Sequence, residues 1–361
     1  MQTLAMISAL SNAYGPSGFE DDALGAIRSF APAGYALTGD ALNNLYLRRE
    51  CASDDRPILQ LDAHSDEVGF MVQAIRPNGT LRFLPLGGWV NSNIPAHRVR
   101  VRTRFGTWIP GIVAAKPPHF MSEAEKGRTP EIEDMSIDIG ASSAEEAIHD
   151  FGIRIGAPVA PDVVFSYDEA HDLMFGKAFD NRLGCAAVLA TLARLGTDAL
   201  AVNPVGAIAA QEEVGTRGAE ITARTVKPAL AIAFEGSPAD DTVVEPYMVQ
   251  TAIHKGPMLR HIDRRMITHP RFQRFALDLA DELGIPVQES VRAGGSTDGA
   301  PIHLSNDGVP TIVIGLPVRY IHSHWGIASL NDFTRAVDLA EAIIRHLDSE
   351  KIATLRGSAL A

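Results

Sequence analysis

Four apolar runs of this chain end in acidic residues or histidine. Ile58-Leu59-Gln60-Leu61-Asp62-Ala63 runs into His64-Ser65-Asp66-Glu67, and Val205-Gly206-Ala207-Ile208-Ala209-Ala210 into Gln211-Glu212-Glu213-Val214-Gly215. Ala229-Leu230-Ala231-Ile232-Ala233-Phe234 ends at Glu235-Gly236, and Thr311-Ile312-Val313-Ile314-Gly315-Leu316-Pro317 leads to Tyr320-Ile321-His322-Ser323. Short apolar runs bounded by turn residues predict buried strands. Helical periodicity lies between and after them, at 183–195, near 219–224, at 270–283 and at 332–347, so strand and helix alternate as in an α/β fold. Ser17-Gly18-Phe19-Glu20 has the spacing of a capping box and predicts a helix start behind it.

From about 69 to 164 the pattern changes. Segments such as His97-Arg98-Val99-Arg100-Val101-Arg102 alternate with period two, and turns fall at Pro77-Asn78-Gly79 and Gly87-Gly88. This predicts a small antiparallel barrel or sandwich inserted into the α/β frame. The charged stretch 121–135, with Gly127 and Pro130, reads as a loop. His119, behind Pro117-Pro118, is either a plain loop residue or one that reaches an active site.

Composition narrows the possibilities. At 361 residues and 46% hydrophobic the chain can bury a large core and form two or three domains. A formal charge of -12 argues against nucleic acid and anionic membranes as partners. Cys51 and Cys185 are too few for a disulfide framework, which points to the cytoplasm, with Cys185 as a small buried hydrophobe. The first ten residues lack the pattern of a signal peptide, and no stretch has the length of a membrane span.

Ligands bind outside the carboxyl ends of strands in open α/β sheets, so groups following different strands can converge there. The collected groups are His64, Asp66, Asp180, Glu212, Glu213, Glu235 and His322. Taken singly, Glu212-Glu213 can open a helix and Asp180 can cap one. Taken together, two imidazoles and three carboxylates suit a pair of metal ions sharing one carboxylate. Asp66, two residues after His64, is placed to hold that imidazole in one tautomer. Glu212 is left for proton transfer.

The motifs Ala63-His64-Ser65-Asp66-Glu67-Val68-Gly69, Lys116-Pro117-Pro118-His119, Asp138-Ile139-Gly140-Ala141, Gly176-Lys177-Ala178-Phe179-Asp180-Asn181-Arg182, Gln211-Glu212-Glu213-Val214-Gly215, Gly294-Gly295-Ser296-Thr297-Asp298 and Arg319-Tyr320-Ile321-His322-Ser323 run in one order over nearly the whole chain. In this the chain resembles the tetrahedral (deblocking, glutamyl-aminopeptidase-like) family of co-catalytic metallo-aminopeptidases, some of whose members carry endoglucanase labels. The resemblance implies a mixed sheet flanked by helices, a zinc-peptidase-like catalytic domain formed by 1–69 and 166–361, with a small β-barrel dimerisation domain inserted at 70–165. It implies two divalent ions per subunit, zinc or cobalt, with manganese also suited. His64 and Glu235 would hold one ion and Glu213 and His322 the other, with Asp180 bridging and Glu212 as general base. Short peptides are the implied substrates, and dimers built into a twelve-subunit tetrahedron the implied assembly.

Gly295 and Asp298 belong to a loop that either brings backbone to the substrate or is a plain turn, and Asp298 is a candidate for holding the substrate amine. One departure stands out: the family pattern continues after His322-Ser323 with Pro and then Glu, whereas this chain reads His324-Trp325-Gly326, and the plain reading of His324 is a polar loop residue. His97, His149, His171, His254, His261, His269, His303 and His346 read as structural or surface residues. The competing functions are a related two-metal carboxypeptidase or N-acyl-amino-acid deacylase, and a non-catalytic subunit of a mixed assembly. Glycosidase chemistry is poorly supported, because the best carboxylates are claimed by metal.

Overall fold

Alternate residues of the central strands enter different cores. Along the strand Leu230–Pro238, Leu230, Ile232 and Phe234 join the large core with the helices Phe179–Leu195 and Leu330–His346. Ala231 turns the other way, to Ala209, Ala219 and Ala223 under the helix Arg217–Val226. The sheet is therefore covered on both faces, which is why its strands read as continuous apolar runs. The computed structural model describes residues 2–50 and 55–357. Cys51 lies outside these residues, and Cys185 is buried and forms no disulfide among the described residues.

The sheet has eight strands, in the order Tyr35–Gly39, Leu45–Arg49, Asn203–Ala209, Ile58–His64, Leu230–Pro238, Thr311–Val318, Met258–Ile262 and Gln288–Val291. The four in the middle, from Asn203–Ala209 to Thr311–Val318, are parallel. Antiparallel pairing on both sides of them makes the sheet mixed. Register places Ala209 beside His64 and Glu235 beside Gly315, so the carboxyl ends of the parallel strands open on one edge.

The strand-rich block folds as a closed barrel rather than a sandwich. Its order is Gly69–Ile75, Leu81–Leu86, Ser136–Asp138, Trp108–Ala114, Arg98–Arg102 and Pro158–Pro161. Phe70, Val72, Phe83, Val99, Val101 and Val159 contribute to a separate core inside it. The charged stretch beyond His119 carries the one-turn helix Glu123–Lys126. A three-stranded sheet of Ser166–Asp168, Leu173–Gly176 and Gly326–Ala328 sets the strand that follows His322 beside the one that precedes Asp180.

The capping box is not formed. The helix Asp21–Ser29 begins behind it, without a side-chain cap. Ser17 Oγ instead donates to Asp66 Oδ2 at 2.6 Å, and Glu20 Oε1 accepts from the Gly18 and Gln211 backbone N–H groups. Buried polar groups must find partners inside the protein, whereas an exposed helix start can be satisfied by water.

Candidate metal centre

His64 ends its strand fully buried, and the Ser65 N–H donates to the Ala209 carbonyl at 2.8 Å, which places the turn after Ala209 beside it. Within that turn Gln211 has φ +56°, and the N–H groups of Gly215 and Thr216 both close onto the Glu212 carbonyl. Glu212 and Glu213 therefore lie in a turn, and the following helix starts only at Arg217. Asp66 holds the arrangement. Its carboxylate accepts from the Glu212 N–H at 2.9 Å and the Glu213 N–H at 3.2 Å, and lies 3.3 Å from His64 Nδ1. Burial raises the Asp66 pKa, but the His64, Ser17 and Glu212 contacts outweigh it and keep the carboxyl below its usual range.

Asp180 does not cap its helix. Its backbone is non-helical (ψ 105°), and no side-chain cap bond is made at that end. Its Cα packs so closely on Gly236 that a Cβ there would fall 2.6 Å from it, so only glycine fits. The two carboxylate oxygens diverge: Oδ1 lies 3.2 Å from His64 Nε2, and Oδ2 lies 3.5 Å from His322 Nε2. Glu235 Oε2 is 3.9 Å from His64 Nε2 and accepts from Asn181 Nδ2 at 3.1 Å. Glu213 Oε2 is 3.5 Å from His322 Nε2, and Glu212 Oε2 is 3.9 Å from His64 Nε2. The seven strand-end groups named from the sequence thus meet in one place.

Beneath them, the buried Glu67 carboxylate pairs with Lys177 Nζ at 2.6 Å, and Arg182 donates to the carbonyls of Ser65, Leu10 and Ala13. This network ties the chain around His64 to the chain around Asp180.

The cluster is electrostatically suited to cations. Burial pushes Glu213 and Glu235 well above the carboxylate range and Glu212 up to about 7. His322, which burial alone would lower, is driven up to about 9 by Asp180 and Glu213. His64 Nε2, Asp180 Oδ1 and Glu213 Oε1 are buried without a hydrogen-bond partner among the described residues. One ligand atom from each of these three residues lies within 4.8 Å of the others. Unpartnered nitrogen and carboxylate oxygens at that spacing fit divalent metal.

A cavity of about 560 Å³ opens at the cluster, with Glu212, Glu213, Glu235 and His322 in its lining. Arg260, Arg265 and Arg292 also line it, and sequence reasoning did not find them. Arg260 pairs with Asp263 at 3.3 Å and Arg292 with Asp240 at 3.0 Å. The Arg265 guanidinium donates to Thr216 Oγ1 at 3.0 Å and meets no carboxylate among the described residues, although the Arg265 backbone N–H donates to Asp263. No local signal marks these arginines, because the Met258–Ile262 strand and the loops behind it carry them to the site from far along the chain.

Gly295, with φ +77°, lines the cavity. Asp298 does not: it is buried, with Asp62, Glu212, His64 and Glu235 as its charged neighbours, and it is not in the cavity wall. His119 is exposed on the turn Pro118–Phe120 and is not in the cavity wall. His324 lies in the loop after His322 but is not a solvated loop residue. It is buried, and burial drives its pKa down to about 3, leaving the ring neutral.

The chain was compared with known proteins. The family described as M42 glutamyl aminopeptidase matches residues 43–339. The glutamyl aminopeptidase of Lactococcus lactis subsp. cremoris is 34% identical over 362 residues, covering 99% of each chain. Among solved structures, a TET aminopeptidase from a marine sediment thaumarchaeon matches with a TM-score of 0.92 at 35% identity, covering 98% of this chain and 99% of its own. The TET1 peptidase of Pyrococcus horikoshii, described as assembling into a tetrahedron or a large octahedral shell, matches with a TM-score of 0.85 at 27% identity, covering 96% and 100%.

Proposed function

This chain belongs to the M42 glutamyl aminopeptidase family and is a metallo-aminopeptidase, and we propose that it uses two divalent ions to remove acidic residues from the amino termini of short peptides. His64 and Glu235 would hold one ion and Glu213 and His322 the other, with Asp180 between them. The divergence of the Asp180 oxygens toward His64 and His322 carries this reading. Bound there, the ions would supply Lewis-acid polarisation of the scissile carbonyl and water that ionises near neutral pH. Zinc, cobalt and manganese all suit these ligands.

Glu212 is the general base. Asp66 fixes its backbone, and burial brings its carboxyl to about 7, where it can accept a proton from water and return it to the leaving amine. Asp66 acts through His64, holding its Nδ1 so that Nε2 faces the cluster.

The arginine wall supports the acidic preference. A carboxylate entering the cavity would find Arg265, whose guanidinium meets no carboxylate among the described residues, and guanidinium–carboxylate pairs are strong and directional. The Lactococcus relative carries a glutamyl name. We extend the self-association named for the Pyrococcus peptidase to this chain, with the barrel at the dimer contact and a twelve-subunit tetrahedron as the assembly. The reading places the enzyme in the cytoplasm.

Hydrolysis of glutamyl-, aspartyl-, leucyl- and lysyl-p-nitroanilides and of free and N-acetylated peptides, before and after chelation, tests the proposal. Metal-dependent release of acidic residues from free amino termini is expected. Cleavage confined to N-acetylated or C-terminal substrates would overturn it, and preference for dipeptides whatever their first residue would assign the arginines to the product's α-carboxylate instead.

A further inference from the structure

The loop that carries His322 leans on the barrel. Tyr320 and His322 hold φ of +63° and +56°, values that non-glycine residues keep only where their surroundings impose them. Arg319 forks onto Asp241 at 2.6 and 3.0 Å, and Ser323 Oγ sits 2.7 Å from the Tyr320 carbonyl. His322 Nδ1 donates to the carbonyl of Gly88, at the end of a barrel hairpin, at 2.9 Å. In the neutral ring that bond leaves Nε2 as the nitrogen with a lone pair, facing Asp180 and Glu213. A Cβ on Gly88 would lie 3.1 Å from Nδ1, so the barrel backbone approaches the ring as closely as glycine allows.

Two residues on, His324 is 1% exposed. Among the described residues neither ring nitrogen makes a well-formed hydrogen bond, the Asn93 backbone offering only a weak contact. The ring lies parallel to that of His97, with centroids 3.9 Å apart and planes within 10°, and tilts over Trp89 at 5.1 Å. Trp89 stacks on the barrel-core residue Phe70 at 4.7 Å, and its Nε1 donates to the Gly69 carbonyl at 3.1 Å. Parallel imidazoles do not aim their lone pairs at one point, so His97 and His324 are not a chelating pair. What remains for the His324 ring is packing.

We propose that His324 is a positioning residue whose ring, clamped between Trp89 and His97, pins the His322 loop to the barrel and fixes His322 Nε2 on Asp180 and Glu213. The clamp makes the barrel a support of the catalytic centre within its own subunit. The loop-pinning part is independent of metal, whereas its consequence for ion binding rests on the two-metal reading above.

Hydrogen exchange on the metal-free protein, comparing His324→Ala and His324→Phe with the parent, tests the first part. The Ala variant is expected to exchange about tenfold faster or more in peptides from 87–97 and 319–326 and unchanged elsewhere, with Phe close to the parent. Competition titrations with cobalt(II) test the second: Ala weakens one of two ions by roughly 10–100-fold, leaves the other unchanged, and Phe restores it. Trp89→Leu removes the other face of the clamp and is expected to reproduce the Ala pattern, which keeps the test decisive if His324→Ala does not fold. Unchanged exchange in both segments, or equal weakening of both ions with a general fall in Tm, would overturn the proposal. A parent protein that binds fewer than two ions would sink the two-metal reading instead, and the exchange result would still decide the clamp.

Discussion

Glu212 and Glu213 are neighbours in sequence with different surroundings. Glu213 faces the His322 imidazole at 3.5 Å, whereas Glu212 stands off its nearest imidazole at 3.9 Å and faces the cavity. On the proposed two-metal reading with Glu212 as base, Glu212→Gln is expected to keep both metals and lose about 10²–10⁴ in kcat, while Glu213→Gln weakens one ion; metal analysis beside steady-state kinetics separates the two. An active Glu212→Gln variant would remove the base from that position. Arg265, in the lining of the same cavity, offers a comparable contrast. Arg265→Met is expected to lower kcat/KM for a glutamyl substrate roughly 10–100-fold, the range of a lost charged hydrogen bond, and to leave a leucyl substrate nearly unchanged. Equal losses on both substrates would mean that the residue supports the wall without reading charge.

At the scale of elements, strand ends were legible in the sequence because a buried parallel strand must be apolar and its polar sequel stands out. His64, Glu212, Glu213, Glu235 and His322 were found this way, and period-two alternation exposed the barrel. The helix start behind Ser17 to Glu20 was legible, but the hydrogen bonds of these residues were not, because S-x-x-E spacing describes a local pattern while the partners Asp66 and Gln211 lie far along the chain. His324 failed similarly, since nothing local says that a histidine will stack on a barrel. The Glu20 contact has a pH signature. Burial, with Asp66 nearby, lifts its carboxyl to about 7 from 4.5. Between those values the folded protein keeps a proton that the unfolded chain has lost, so stability falls as pH rises through the window, by about 3 kcal/mol in all. Glu20→Gln keeps an acceptor for the Gly18 and Gln211 N–H groups and removes the titration. Urea midpoints should match the parent at acid pH and exceed it at pH 8. Parallel pH profiles would show that Glu20 is ionised in the folded protein at ordinary carboxylate pH.

For the whole molecule, the cluster concentrates negative charge in a chain already at a formal -12. Without metal the centre relieves this by holding protons: burial keeps Glu213 and Glu235 well above their usual range, and His322 titrates at about 9. Metal ligands must be neutral imidazole or carboxylate, so ions and protons compete for the same atoms. Binding is then expected to release protons near neutral pH, and affinity to rise with pH about tenfold per unit for each proton displaced. Because metal binds the folded state, a free concentration a hundredfold above Kd stabilises by about 2.7 kcal/mol per site. The rise in Tm on adding zinc or cobalt should accordingly be larger at pH 8 than at pH 6, and chelation should reverse it. Calorimetry in two buffers of different ionisation enthalpy counts the protons directly. A metal effect independent of pH over this range, with no proton release, would mean that the ligands stand deprotonated before the ions arrive, and that the site is built as a standing pool of negative charge.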